Sequence, residues 1–253
     1  MTTVGENNVF NIAVNGNFDD CQNLVKAMFA DKSFSNEIKM SGVNSINWAR
    51  IIAQSVYYFY CYFLIEDKSE PINFSVPTGN FGDVYAGYLA KRIGLPVNKF
   101  IVATNQNDIL HRAISNGNYY VENVLETISP SMDIQIASNF ERLIYDLNDQ
   151  NDKKTIDVMK RIKQIGKYEI NKENLDKIHV DFVSSRMDEN EVLNTIKTVY
   201  KKFDKVLDPH SAIGYGAFDK VNLKGNNIVL ATAHPCKFPS AIEKAINIKA
   251  ELP

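Results

Sequence analysis

The chain has 253 residues, a formal net charge of −2 at pH 7 and a hydrophobic fraction of 45%. This length and composition are typical of one large globular domain, or of one domain and a fragment of another. Since no basic surface is indicated, we expect no nucleic-acid partner. The first residues lack the basic and apolar regions of a signal peptide, which favours a cytoplasmic location.

The cysteines and histidines are scattered along the chain. Cys21, Cys61 and Cys236 form no C-x-x-C pair, which indicates a reduced interior without a disulfide framework. The histidines, His111, His179, His210 and His234, lack the spacing of metal ligands, so we predict no metal site. One proline separates His234 from Cys236, a spacing that disfavours a catalytic dyad of these two side chains.

The first 40 residues read as one βα unit followed by a linker. The predicted elements are a strand over Val9–Val14, a turn at Gly16-Asn17, a helix over Phe18–Phe29 and a polar linker over Asp31–Lys39. One such unit cannot bury its own apolar face. We therefore predict that residues 1–40 are a remnant of a smaller domain and that residues 41–253 form a large one.

The most apolar stretch of the chain is Ser45–Ile65. It is long enough to span a bilayer, but Asn47, Arg50 and Gln54 would be costly there, so we expect no membrane partner. A buried central helix is the favoured interpretation. Asn44 or Ser45 is predicted to cap this helix, or to place a polar side chain beside its start.

A βαβ unit follows and implies parallel strands with a right-handed crossover. Its parts are a strand over Ile72–Val76, a turn over Pro77–Asp83, a helix over Val84–Ile93 ended by Gly94 and Pro96, and a strand over Phe100–Ala103. A helix start has unpaired amides and partial positive charge, and glycines let the backbone close around an anion. The turn is thus either a cup for one phosphate or an ordinary βα turn in which Asp83 caps the helix.

Two further segments are candidates for a ligand-binding edge, and two single residues are candidate anion contacts. Thr104–Asp108 follows a predicted strand, and Thr232 follows a strand predicted over Asn227–Ala231. Ligands of open α/β sheets bind beyond the carboxyl ends of the strands. Each segment is open to a second interpretation, in which its polar side chains bond only the local backbone. His210, at the start of a helix opened by Asp208–Gly214, and Lys237 are candidate anion contacts.

The remaining pattern is helical. Helices are predicted over Asp108–Ile114, Asn139–Leu147 and Asp188–Phe203, and the lysine-rich stretch Asp149–Asn174 is interpreted as a solvated helical face.

Eight blocks along the chain closely resemble threonine synthases of the bacterial and fungal type. In chain order they are Gly16–Cys21, Asn44–Ile51, Val76–Asp83 with Ala86–Tyr88 and Gly94–Pro96, Ala103–Asp108, Ser129–Ile134, Ser138–Arg142, Asp208–Ala212 and Thr232–Pro235. The resemblance implies a three-layer open parallel sheet with helices on both faces, the fold shared with the tryptophan synthase β subunit. Enzymes of this family hold pyridoxal 5′-phosphate between a large and a small α/β domain.

The resemblance also implies an activity and a set of site residues. Threonine synthase is a lyase of threonine biosynthesis that converts O-phosphohomoserine and water to threonine and phosphate. By resemblance, Gly79, Asn80, Phe81, Gly82 and Asp83 bind the cofactor phosphate, and Thr232 bonds the pyridine nitrogen. The positions expected near substrate are Asn44, Ser45, Asn47, Arg50 and His210.

One departure from the family is large. The Schiff-base lysine of the family lies in a Ser-Phe-Lys-Asp motif upstream of the first block, and this sequence contains no such motif. We therefore expect the chain to match the carboxy-terminal part of the family, to need a complementary amino-terminal fragment, and to be inactive alone. The alternative is a catalytically silent homologue that binds pyridoxal phosphate or a phosphorylated amino acid.

Overall fold

The computed structural model describes residues 6–16, 18–42 and 44–250. The chain divides into two compact units, Met1–Val43 and Asn44–Pro253. The predicted small-domain remnant and large domain remain predictions. The first five residues and Asn17 of the predicted turn lie outside the described residues.

The described part of the first unit contains two helices. Helix α1 (Phe18–Ala30) confirms the predicted helix, and α2 (Lys32–Glu37) replaces the predicted linker because Asp31 caps it by accepting from the Phe34 amide at 3.0 Å. The predicted strand over Val9–Val14 is wrong. No described strand lies beside that segment to pair its backbone, and Phe10, Ile12 and Val14 are exposed.

The second unit contains a four-stranded parallel sheet in the order β5-β2-β1-β6. The strands are β1 (Ile72–Pro77), β2 (Lys99–Thr104), β5 (Phe182–Arg186) and β6 (Asn226–Val229), and β3 (Asn118–Tyr120) pairs antiparallel with β4 (Lys167–Glu169). The predicted βαβ unit is confirmed as β1, α4 (Gly82–Arg92) and β2, with Gly94 at a φ of +112° after the helix.

Helices cover both faces of this sheet. The helices after α4 are α5 (Ile109–Asn116), α6 (Phe140–Leu147), α7 (Asp152–Ile165), α8 (Lys172–Asp181), α9 (Glu189–Phe203), α10 (Pro209–Val221) and α11 (Pro239–Ile246). Phe74 and Phe100 pack into a core with α4 and α6, whereas Ile101, on the opposite face, packs with α9 and α10. Successive strand residues point to opposite faces. The predicted three-layer α/β fold is therefore confirmed.

The apolar stretch forms α3 (Trp48–Leu64), but its predicted burial is wrong. Ile51 and Tyr58 are its fully buried members. Asn47, rather than Asn44 or Ser45, is the cap and accepts from the Ala49 amide at 2.9 Å. The helix packs closely on α4, since a Cβ added to Gly87 would lie 2.4 Å from the Tyr58 ring.

The structure revises one other predicted element and confirms a second. Asp149–Asn174 contains α7 and β4 rather than one solvated helix, and α9 confirms the helix predicted over Asp188–Phe203 with a capping box between Asp188 and Glu191. Within the described residues, no helix is long and apolar enough to cross a membrane.

Candidate functional site

A cleft of about 260 Å³ opens at the carboxyl edge of the sheet. We call it the β1–α4 cleft. Its walls come from the start of α3, the β1–α4 turn, a short 3₁₀ helix, the start of α10 and the segment after β6. The lining residues are Ser45, Arg50, Gln54, Pro77, Thr78, Gly79, Asn80, Phe81, Gly82, Asp83, Ser131, Met132, His210, Thr232 and Ala233.

The β1–α4 turn presents free backbone donors to this cleft. The amide of Thr78 donates to Ala103 O at 2.8 Å, and its hydroxyl donates to Val76 O at 2.6 Å, which ties the turn to the sheet. In contrast, the amides of residues 79–84 donate to no group of the described residues. Consecutive free amides at a helix N-terminus form a favourable binding site for one oxyanion.

Phe81 determines the shape of the turn. It is the residue before α4 and adopts a left-handed conformation, with φ 64° and ψ 6°, which is unfavourable for a bulky side chain. Its ring is fully buried and packs 5.2 Å from Phe140 and 5.7 Å from Phe182. The aromatic core therefore holds the strained backbone, and only the main chain of Phe81 is available to a ligand.

The two glycines of the turn permit close contacts with neighbouring walls. A Cβ on Gly79 would lie 2.6 Å from the carbonyl oxygen of Ser131, and one on Gly82 would lie 3.2 Å from Asn139 Nδ2. Asn139 in turn donates to Ser45 O at 2.9 Å. A side chain at Gly79 would overlap backbone, and one at Gly82 would require Asn139 or Ile51 to shift by a few tenths of an ångström, so both positions favour glycine.

Asp83 does not cap α4, because its side chain turns towards α3. The Tyr58 hydroxyl is 2.8 Å from the Asp83 carbonyl oxygen and 3.2 Å from its Oδ1. Burial raises the pKa of the Asp83 carboxyl to about 6, although the Tyr58 hydrogen bond opposes the change. The interpretation of Asp83 as a helix cap is therefore wrong, and any ligand contact from Asp83 uses its amide.

The Thr104–Asp108 segment supports the site without lining it. Asn105 Nδ2 is 2.8 Å from Asp133 Oδ1 and 2.9 Å from Ser129 Oγ, and Asn107 Nδ2 donates to Asp133 at 3.0 Å. These bonds bracket the 3₁₀ helix Pro130–Met132, which carries the cleft residues Ser131 and Met132. The segment therefore contributes to the site only by holding the 3₁₀ helix in place. The sequence analysis did not identify Ser131 and Met132 as cleft residues.

The predicted substrate positions occupy different places at the start of α3. Ser45 and Arg50 line the cleft. Asn44 Oδ1 accepts from the Ile46 amide at 3.2 Å, and Asn47 caps the helix. Gln54, one turn after Arg50, also lines the cleft and was missed, although its helical spacing from Arg50 was a usable signal.

Thr232 lies just beyond β6 and is exposed at the cleft. Since β6 pairs parallel with β1, their carboxyl ends bring Thr232 and the turn to one edge. His234 Nδ1 accepts from the Cys236 amide at 3.2 Å, and Lys237 does not line the cleft. The described residues hold no group of three side chains suited to a metal ion.

Asp208 and His210 form a buried pair at the start of α10. Asp208 Oδ1 accepts from the His210 amide and from His210 Nδ1, each at 2.9 Å, and its Oδ2 binds the Ser211 hydroxyl. Burial raises the pKa of Asp208, but hydrogen bonds from His210 and Ser211 outweigh it and hold the pKa below its usual value. Asp208 is therefore a carboxylate beneath the cleft.

The chain is therefore an α/β protein with free helix-start amides at the carboxyl edge of a parallel sheet, an arrangement that phosphate-binding proteins share. The family model described as threonine synthase, C-terminal, matches residues 211–253. A threonine synthase of Pseudomonas aeruginosa is 46% identical over 97% of this chain and 53% of its own length.

Two solved structures that superpose well on this chain are also threonine synthases. The pyridoxal-phosphate-bound threonine synthase of Brucella melitensis superposes with a TM-score of 0.89 at 46% identity, over 95% of this chain and 52% of that one. The yeast threonine synthase gives a TM-score of 0.88 at 39% identity, over 100% and 53%. The resemblance to threonine synthases is confirmed, and the chain spans about half the length of the relatives it matches.

Replacement of Asp83 by asparagine tests the buried carboxyl. The folded pKa is about 6, above the value of about 4 in an unfolded chain, so the folded state retains its proton over a wider pH range. The stability that this gives is complete below about pH 4 and is lost as the pH rises through 6. From pH 4 to 7 we expect wild type to lose about 2–3 kcal/mol of unfolding free energy relative to Asp83→Asn.

Urea denaturation of both proteins across this pH range measures the difference. Glu126→Gln, which removes an exposed carboxyl, is the control. An unfolding free-energy difference between wild type and Asp83→Asn that stays constant with pH would contradict the assignment.

Proposed function

We propose that this chain is the carboxy-terminal half of a threonine synthase, a pyridoxal-phosphate-dependent lyase that converts O-phosphohomoserine and water to threonine and phosphate. The observation that carries the proposal is the cup of free amides over residues 79–84. It fits a single phosphate monoester, and the cleft around it supplies polar groups for the rest of the ligand. The cytoplasmic location expected from the sequence stays a prediction.

The cup suits the phosphate group of pyridoxal 5′-phosphate. The main-chain amides from Gly79 to Asp83 would hold it, because the close walls at Gly79 and Gly82 leave backbone as the only contact. Thr232 would hydrogen-bond the ring nitrogen, and a hydroxyl there leaves that nitrogen unprotonated. Bound pyridoxal phosphate would supply an electron sink for negative charge on the substrate carbon, and the unprotonated ring nitrogen would limit its strength.

The opposite wall suits the substrate. Arg50 and Ser45 line the cleft at the start of α3, facing it from a different element than the cup. A guanidinium and a hydroxyl are groups that recognise a phosphate monoester. Asn44 and Asn47 would act by holding this helix start in place, since their side chains bond its backbone.

We further propose that a complementary amino-terminal part of the enzyme supplies the lysine. The chain contains no Ser-Phe-Lys-Asp sequence, and its relatives are about twice as long as the segment it matches. With the lysine on a separate part, the cup and Thr232 can bind the cofactor, but this chain alone would be inactive.

The exposed face of α3 supports such a partner. Arg50 is the only charged residue of the helix. Large apolar side chains recur along its outer side and are exposed by 61% at Val56, 64% at Tyr60 and 71% at Phe63. A continuous apolar face of this length is unusual on a surface and is typical of an interface.

A mixing experiment tests the function. We expect this chain, combined with the amino-terminal half of the Pseudomonas aeruginosa enzyme, to give a new visible absorbance band with pyridoxal phosphate and to release phosphate from O-phosphohomoserine. Each half alone is expected to release none. Mixed halves that associate and bind the cofactor but release no phosphate would contradict the enzyme and favour the silent binding homologue.

Charged substitutions on α3 test the docking face. Val56→Lys and Tyr60→Lys place a charge where the partner would bury apolar surface, so we expect association with the same amino-terminal half to weaken at least tenfold. Analytical ultracentrifugation measures this. Ile165→Lys is the matched control, because Ile165 is 61% exposed on α7. Equal association of all three variants would exclude the α3 face as the docking surface.

A further inference from the structure

The structure leaves one polar atom at the cleft without a partner. His210 Nε2 is buried and is the one such side-chain nitrogen or oxygen without a hydrogen bond in the part of the chain that the structure describes. The residue is only 4% exposed, yet it lines the β1–α4 cleft. Buried polar groups are nearly always paired, so an exception calls for a partner such as a ligand, a water molecule or an ion.

The orientation of the imidazole is tightly determined. Asp208 is fixed as the cap of α10 and holds Nδ1 at 2.9 Å, so Nδ1 carries a hydrogen. The other side of the ring packs against Phe238, with ring centroids 4.9 Å apart. His210 lines the cleft whereas Asp208 does not, so the ring edge opposite the Asp208 contact, which carries Nε2, is the candidate edge for a ligand contact.

The groups around His210 Nε2 indicate which kind of ligand atom would bind to it. The cleft contains the free amides of the turn, the Arg50 side chain and the N-terminal ends of α4 and α10, all of which favour negative charge. Because Asp208 holds the hydrogen on Nδ1, Nε2 donates only when the ring is an imidazolium, and Asp208 is then its ion-pair partner. The Asp83 carboxyl, the other acid at the cleft, is turned to Tyr58. An N–H donor at Nε2 matches an oxyanion.

We propose that Asp208 and His210 form a second oxyanion contact of the cleft, in which Nε2–H donates to an oxyanion of the ligand and Asp208 positions the ring. The inference rests on the proposed function for the identity of that ligand. The oxyanion belongs either to pyridoxal phosphate or to O-phosphohomoserine, and the two have the same chemistry at this contact. His210 touches the ligand, whereas Asp208 acts only through His210.

Two substitutions of His210 separate ligand contact from structure. In His210→Asn the amide can still bond Asp208, but the donor at the Nε2 position is lost. His210→Gln restores a donor near that position. Because a hydrogen bond to a charged group contributes about 1.5–3 kcal/mol, we expect binding to weaken about tenfold or more in His210→Asn and to stay within about threefold in His210→Gln.

Isothermal titration of the 253-residue chain with pyridoxal phosphate, O-phosphohomoserine and inorganic phosphate measures these changes. Weaker binding of pyridoxal phosphate alone assigns the contact to the cofactor, and weaker binding of O-phosphohomoserine alone assigns it to the substrate. Urea midpoints equal to wild type show that both variants fold. As a direct readout, the Nε2 resonance of ¹⁵N-histidine-labelled chain shifts when the ligand is added.

The outcomes distinguish this inference from the proposed function. If wild type binds the ligands and His210→Asn binds them equally well, with no shift of the Nε2 resonance, the second contact is wrong and the proposed function stands. If wild type binds neither pyridoxal phosphate nor O-phosphohomoserine, the ligand assignment fails together with the proposed function. Loss of binding in both variants at equal stability would also overturn the donor role of Nε2.

Discussion

The packing of one aromatic ring supports the whole site. Phe81 accepts a left-handed backbone because its ring is buried against Phe140 and Phe182. This conformation places the free amides of residues 79–84 together at the start of α4. The strain costs on the order of 1–3 kcal/mol and is offset by burial of the ring. Core packing and the proposed phosphate site are therefore linked through one residue.

The parallel sheet brings segments that are distant in sequence to the same cleft. Strands β1, β2 and β6 end at one edge; the segments after β1 and β6 line the cleft, and the segment after β2 holds one of its walls. Each wall is then fixed by polar contacts: Asn105 and Asp133 hold the 3₁₀ helix, Asn139 holds Ser45, and Asp208 holds His210. Elements separated by more than a hundred residues thus form one binding surface.

Local pattern predicted most elements but not their surroundings. The βαβ unit, its glycine turn and the helix after Asp188 follow from spacing and capping residues, which act within a few positions. The burial of α3 was predicted wrongly because apolar composition shows that a face needs a partner, not that the partner lies in the same chain. The strand predicted over Val9–Val14 is wrong for a similar reason, because a strand needs a neighbouring strand to pair with and a local pattern does not show whether one is present.

The site was predictable only in part. The glycine turn has a sequence signature, and it was found. Ser131 and Met132 line the cleft because of the Asn105–Asp133 bond, a contact between segments that no local pattern contains. The unpaired Nε2 of His210 was equally hidden, because the sequence shows a histidine two residues after an aspartate but not that both are buried.

The most direct measurement of the central claim is a backbone amide NMR titration of the ¹⁵N-labelled chain with pyridoxal phosphate and, separately, with pyridoxal, which lacks the phosphate. If the β1–α4 turn is the phosphate cup, the amides of residues 79–84 shift strongly with pyridoxal phosphate and much less with pyridoxal. Saturable binding of pyridoxal phosphate that leaves these amides unshifted, or shifts them equally with pyridoxal, would contradict the account.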